Sequence, residues 1–240
     1  MPVFPLALVT GAAHRLGKAF ALSLARQGFA VLLHYHTAQE QAEQTAREIR
    51  YLGMPVYPFQ ADLSQPEQIE TLFTFLDMLP HPFKVMVNSA AILQRGNIQT
   101  LPHADWDLTL DINLRAPFLC AQQAALRMEA GSLIVNVSDV GAQKTWSAFP
   151  AYTVSKSALE TLTRILARSL APQIRVNALA PGLVLHSDVV TSDEWKRLVE
   201  RLPLRRPAAL EEITSALEFL IKNEYITGQT LVVDGGYSLL

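Results

Sequence analysis

Seven short apolar runs recur along the chain: "LALVT" (6–10), "AVLLH" (30–34), "VYPFQ" (56–60), "VMVN" (85–88), "LIVNVS" (133–138), "IRVNAL" (174–179) and "TLVVD" (230–234). They do not alternate polar with apolar, so each would be covered on both faces when extended. Between them, near 16–27, 38–51, 66–79, 104–129, 151–170 and 210–222, the apolar positions recur with helical spacing. Unalternating strands separated by amphipathic helices predict a parallel sheet with helices on both sides. The chain therefore reads as one doubly wound α/β domain over 1–240, built on a seven-stranded parallel sheet. One segment breaks the rhythm. Residues 182–208 form a long connection containing Pro203 and Pro207, with a short helix expected around Trp195. Long excursions past strand ends often carry function, so this segment is expected to be a substrate lid.

Composition narrows the partners. Half of the residues are hydrophobic, 18% are charged and the net charge is −2, with no basic run. That balance suits a large core and disfavours nucleic acid and anionic membranes as partners. Cys120 is the single cysteine and cannot close an internal disulfide, which fits a reducing, cytoplasmic setting. The apolar opening "MPVFPLALVTGAA" lacks a basic segment and ends in Thr10-Gly11, as a core strand entering a turn would. No uninterrupted apolar stretch reaches membrane-spanning length.

The chemistry begins at "VTGAAHRLGKAF", which closes the first strand and opens the first helix. Gly11 permits a tight turn, Gly17 permits close packing, and the free N–H groups of the helix start suit a pyrophosphate. A site for a non-phosphorylated dinucleotide usually ends its second strand in a carboxylate. Here that end reads His34-Tyr35-His36-Thr37. With no acid to repel a 2′-phosphate, and with Arg15 and His36 able to attract one, the cofactor expected is NADP(H). Asp62 either accepts from the adenine amino group or caps the following helix with Ser64.

A second constellation is "SDVGAQKTWSAFPAYTVSK", residues 138–156. Lys156 stands one helical turn after Tyr152, on the same face, where its charge favours a phenolate. Ser138 and Asp139 are neighbours on a strand, so they face opposite sides and only one reaches the tyrosine.

These stretches together resemble the short-chain dehydrogenase/reductases over the whole length of the chain. The resemblance rests on "TGAAHRLG", "NSAA" (88–91), Asn113 in "DINLRAPFL", Tyr152/Lys156, "PG" (181–182) and "VDGGY" (233–237). It implies a Rossmann-type fold, Tyr152 as proton donor, Lys156 as holder of the nicotinamide ribose, and Asn113 as anchor of a proton-relaying water. For the cofactor it implies contacts from Gly11, Arg15, Leu16 and Gly17 at the phosphates, and from His34, Tyr35 and His36 at the adenosine ribose. Asp62 and Leu63 would meet the adenine, and Asn88, Ser89, Ala90, Pro181 and Gly182 would line the remainder. Family members usually carry a serine thirteen residues before the tyrosine; this chain carries Asp139 there. An ionised Asp139 would raise the tyrosine pKa and oppose Lys156, so the acid is expected to share or carry a proton. That suits a basic ring nitrogen as acceptor.

Within the superfamily the substitution resembles the pteridine and dihydromonapterin reductases, as do "LHYH", "PGL" and the ending "YITGQTLVVDGGYSLL". The likeness implies NADPH-dependent reduction of a dihydropterin, with Arg15, Leu93, Asp139, Tyr152 and Trp195 around the substrate. Leu93 stands where those enzymes place a stacking aromatic, and Thr37 where an arginine often grips the 2′-phosphate. Two other readings remain open. One is a carbonyl reductase of 3-oxoacyl thioesters or sugars, with Ser138 brought in by a bulge; the other is a non-catalytic NADP(H)-binding sensor. No metal site is expected, since the histidines lack ligand spacing. By analogy the chain assembles as a homodimer or homotetramer.

Overall fold

The computed structural model describes residues 2–240. Among them, seven parallel strands form one sheet in the order β3-β2-β1-β4-β5-β6-β7. The strands are β1 (Leu6–Val9), β2 (Ala30–Tyr35), β3 (Val56–Gln60), β4 (Phe83–Asn88), β5 (Ser132–Val137), β6 (Ile174–Pro181) and β7 (Thr230–Val233). Each falls on one of the apolar runs. Alternate residues serve opposite faces: Ala7 and Val9 join one core cluster, Leu6 and Leu8 the other. The first cluster packs α1 (Arg15–Arg26), α2 (Gln39–Tyr51) and α9 (Leu210–Lys222) against the sheet. The second packs α3 (Pro66–Asp77), α5 (Ala116–Ala125) and α7 (Pro150–Leu170).

The helix expected over 104–129 is not continuous. It divides into α4 (His103–Leu110), a π-helical turn at Asp111–Arg115, and α5. Pro117, in the first turn of α5, has no N–H to donate and its ring crowds the carbonyl four residues earlier. The ladder therefore slips by one residue just upstream, which is a π bulge. The slip leaves Asn113 fully buried.

Strand order reverses between β1 and β4, so their carboxyl ends open a crevice, the usual ligand position in such sheets. The connection 182–208 overhangs it and contains α8 (Ser192–Arg201), held at its start by a capping box between Thr191 and Glu194. Short α6 (Gly141–Lys144) fills part of the loop after β5. Among the described residues no helix is long and apolar enough to cross a membrane.

Candidate active site

The crevice is a cavity of ≈ 1020 Å³ running from the turn after β1 to the lid. Its floor is set by backbone needs. Gly11 has φ +64, and a Cβ on it would lie 2.9 Å from the Ala90 Cα. Gly17 needs space instead: a Cβ there would lie 2.1 Å from the Gly11 carbonyl oxygen, so the contact is with the turn itself. Thr10 ties this turn to the one after β4, its Oγ1 accepting from Ser89 N–H at 2.9 Å and Ala90 N–H at 3.0 Å. The α1 start carries no side-chain cap, which leaves its N–H groups to an anion. The turn thus fits a dinucleotide pyrophosphate.

His34 sits beneath the turn, only 2% exposed. Gly11 N–H donates to its Nδ1 at 3.1 Å, and its Nε2 lies 3.0 Å from the Ala61 carbonyl. An N–H can only donate and a carbonyl only accept, so the ring is the neutral Nε2–H tautomer. Burial lowers its pKa to about 4. His34 therefore shapes the groove and brings it no charge, whereas exposed His36 keeps its ring in the open, 4.0 Å from the Asp62 carboxylate. Asp62 accepts from Ser64 N–H at 2.9 Å in a local turn and does not cap α3, whose N-cap Gln65 has no side-chain partner; it lines the cavity beside Tyr35 and Leu63. Gly182 lines the cavity beside Pro181, but its missing Cβ serves Asp234, whose Cα would be 2.7 Å away. Arg15, at φ 55, reaches across the mouth and donates to the lid carbonyls of His186 (3.0 Å) and Leu185 (3.1 Å).

At the other end, Ser138 and Asp139 diverge. Ser138 Oγ donates to the buried Glu160 carboxylate at 2.9 Å, away from the tyrosine. Asp139 faces the cavity: Tyr152 Oη donates to its Oδ2 at 2.9 Å and Gly141 N–H to its Oδ1 at 2.6 Å. Burial, opposed by these bonds, raises the Asp139 pKa to about 6. Burial and the adjoining Asp139 hold Tyr152 well above its ordinary value. The expected pull of Lys156 toward a phenolate is outweighed. Its Nζ lies 5.7 Å from the ring centroid and donates to the Val137 carbonyl at 2.7 Å, and burial lowers its pKa to about 8. Asn113 Oδ1 accepts from Ile92 N–H at 2.9 Å while its Nδ2 donates to Ile92 O at 3.0 Å and Ser155 Oγ at 3.1 Å. It anchors the loop after β4 against α7. Asn88 is likewise structural in its contacts, donating to Asn136 Oδ1 at 2.8 Å.

Residues 11–238 match the family model described as enoyl-(acyl carrier protein) reductase, a branch of the short-chain dehydrogenase/reductases. The chain belongs to the short-chain dehydrogenase/reductase superfamily. A 3-oxoacyl-[acyl-carrier-protein] reductase FabG of Staphylococcus epidermidis is 33% identical, covering 96% of this chain and 97% of that one. Among solved structures, FolM alternative dihydrofolate reductase 1 from Brucella canis, complexed with NADP, superposes with a TM-score of 0.93 at 34% identity. That match covers 98% of this chain and 94% of the other. A blue fluorescent protein from a metagenomic library, in complex with NADPH, gives 0.91 at 30% identity, with 98% of each chain covered.

The lid end of the cavity holds Leu93 and Trp195, with the Trp195 ring edge-on to His186 at 5.4 Å. Reasoning on the sequence missed three residues there. Arg95 donates to Val189 O (2.7 Å) and Glu194 (2.8 Å), clasping the lid. Phe149 lies under the Arg95 guanidinium, 5.1 Å away. Tyr237 stood in a motif already in view, yet its place on the cavity wall needed the C-terminal turn to fold back over Trp146.

Proposed function

We propose that this protein is an NADPH-dependent reductase of a pterin C=N bond, taking a dihydropterin to the tetrahydro level. The observation that carries this reading is the Tyr152–Asp139 hydrogen bond of 2.9 Å, with the carboxyl's pKa raised to about 6 by burial. A ketone oxygen needs one proton from a tyrosine. A basic ring nitrogen is better served by a carboxyl that can itself hold a proton. The likeness to FolM alternative dihydrofolate reductase supports the same choice. The alternative, a 3-oxoacyl thioester reductase, is favoured by the FabG relatives and by the apolar Leu93 at the stacking position.

NADPH, when bound, supplies the hydride. Gly11, Leu16 and Gly17 would receive its pyrophosphate, with His36 at the phosphorylated end and Asp62 and Leu63 at the adenine; Arg15, expected at the 2′-phosphate, instead spans from the turn to the lid carbonyls. Ser89, Ala90, Pro181 and Gly182 would flank the nicotinamide. Lys156, with one N–H on Val137 O, has others for the ribose hydroxyls. The Asp139–Tyr152 pair hands a proton to the ring nitrogen as the adjoining carbon gains hydride, and C=N becomes CH–NH. Leu93 and Trp195 would bracket the ring. Exposed Leu108, Phe118, Val154 and Ile165 on α4, α5 and α7 support assembly into a homodimer or homotetramer, and the reading places it in the cytoplasm.

The test is NADPH oxidation against dihydrobiopterin, dihydromonapterin and a ketone panel that includes acetoacetyl-CoA. Turnover of pterins, lost in Tyr152→Phe, supports the reading. Good turnover of ketones and none of pterins refutes it.

A further inference from the structure

Four arginines border the cavity: Arg15, Arg95, Arg197 and Arg201. Two are already engaged, Arg15 by the carbonyls of Leu185 and His186, Arg95 by Val189 O and Glu194. Glu194 is thereby neutralised, and it also closes the α8 capping box. Arg197 and Arg201 stand one turn apart on α8 with Leu198 between them, and all three line the cavity. Arg197 makes a single 3.3 Å bond to the carbonyl one turn back. Among the described residues the Arg201 side chain makes neither a hydrogen bond nor an ion pair.

Tyr237 links this pair to the chemistry. It is 7% exposed, stacks near Trp146, joins Val140 and Leu202 in a cluster that Leu183 and Leu198 pack against, and lines the cavity. Its pKa is raised by burial and by Asp139 and lowered by Arg201, so its hydroxyl lies within Coulombic reach of both. The cavity therefore runs from the Asp139–Tyr152 pair, past Tyr237, to two cations that have no anionic partner among the described residues. Both side chains are exposed on α8, so their pull on an anion acts at the cavity mouth and is open to screening by salt.

We infer that Arg197 and Arg201 form a clamp for an anionic tail, so that the preferred substrate carries carboxylate or phosphate groups beyond its reacting ring. The inference deepens the reading of this site as a pterin reductase and rests on it. Its natural form is a dihydropterin with a glutamate tail; a phosphate-bearing thioester would present the same charge to the same residues.

The experiment compares kcat/KM, at saturating NADPH, for dihydrofolate, with its anionic tail, and dihydrobiopterin, with an uncharged one. In the double variant Arg197→Gln/Arg201→Gln the ratio of the two should fall about tenfold, mostly through KM for dihydrofolate. Raising salt should lower the ratio in the unmodified protein and leave it level in the variant. Dihydrofolate binding to the NADP⁺-loaded protein, read by calorimetry, should weaken by a similar factor. An unchanged ratio, or equal losses on both pterins, overturns the clamp. If neither pterin is reduced, the pterin reading itself has failed. The ratio is then taken between acetoacetyl-CoA and the uncharged acetoacetyl thioester of N-acetylcysteamine, where a fall supports the clamp and a constant value overturns it.

Discussion

Tyr152 Oη donates to Asp139 Oδ2 at 2.9 Å, a pairing of two groups that both hold their protons more firmly than usual. Burial is the first cause for each, and the proximity of the carboxylate adds to the tyrosine's rise. The arrangement is an acid store: a phenol that resists ionising in series with a carboxyl titrating near neutrality. Lys156, its charge turned to the Val137 carbonyl, balances the site without drawing the tyrosine to a phenolate.

Removing the acid should cost far more activity than removing its neighbour. Asp139→Ala takes away the carboxyl to which the proposal gives the second proton, and general acids commonly contribute about 10²–10⁴ in rate. Ser138→Ala leaves Tyr152 untouched, because Ser138 Oγ faces Glu160. It should lower kcat only a few-fold while reducing stability by about 1–3 kcal/mol, since the buried Glu160 loses its donor. Steady-state rates and denaturant midpoints of both variants decide this. Equal losses of kcat would remove the role given to Asp139.

The pH profile should report the same group. With Asp139 at about 6, the carboxyl holds its proton below that value and releases it above. A reaction that draws on this proton has kcat/KM level on the acid side and falling as pH rises through about 6. Asp139→Asn cannot ionise and should flatten that limb. A profile with the same limb in wild type and Asp139→Asn would assign it elsewhere.

The five inner strands were legible because a parallel strand buried on both faces is apolar throughout; the half-buried edge strands β3 and β7 were legible from short β-rich runs between helices. Ser138 and Asp139 do diverge as expected, although both lie just past the end of β5 and not on the strand itself. The break at Asp111–Arg115 was not legible: Pro117 was in view, but whether a helix kinks, stops or takes a π bulge at proline depends on what packs behind it. His34 was read by its residue type as a cofactor contact. Only the fold shows Gly11 and Ala61 meeting its two nitrogens. Arg95 and Arg201 gave no local signal, and Tyr237 gave only its motif, because their association is made by the lid and the C-terminal turn closing over one cavity.

Space, and not backbone freedom, makes Gly17 irreplaceable. A Cβ at Gly17 would stand 2.1 Å from Gly11 O and 2.8 Å from Gly11 C, both backbone atoms that cannot step aside. Gly17→Ala should displace the turn and weaken NADPH binding by at least about tenfold, a loss of about 1.4 kcal/mol. Gly28→Ala is the contrasting case. Gly28 has φ +89 but nothing within 4 Å, so it should cost about 1–2 kcal/mol of stability and little cofactor affinity. NADPH fluorescence titrations separate the two. Similar affinities in both variants would contradict the steric account.

His34 makes folding sensitive to acid, and the sign follows from its neutral tautomer. The ring titrates at about 4 when folded and near 6.5 when unfolded. Between those values the unfolded chain takes up a proton that the folded one refuses, so stability is lost as pH falls from 6.5 to 4. The loss is about 1.4 kcal/mol per unit, roughly 3 kcal/mol in all. Asp139 acts in the opposite sense. Its folded pKa of about 6 lies above the ordinary 3.8, so its contribution fades as pH rises through that interval. The two partly cancel in the unmodified protein, and substitution separates them. His34→Gln cannot take up the proton, and its amide can reach only one of the two partners well. It should be less stable than wild type near neutral pH and approach wild type on acidification. Chemical denaturation at intervals between about pH 7 and pH 4 measures that difference. A gap that stays constant over the range would mean that His34 is not the neutral ring holding Gly11 N–H and Ala61 O together.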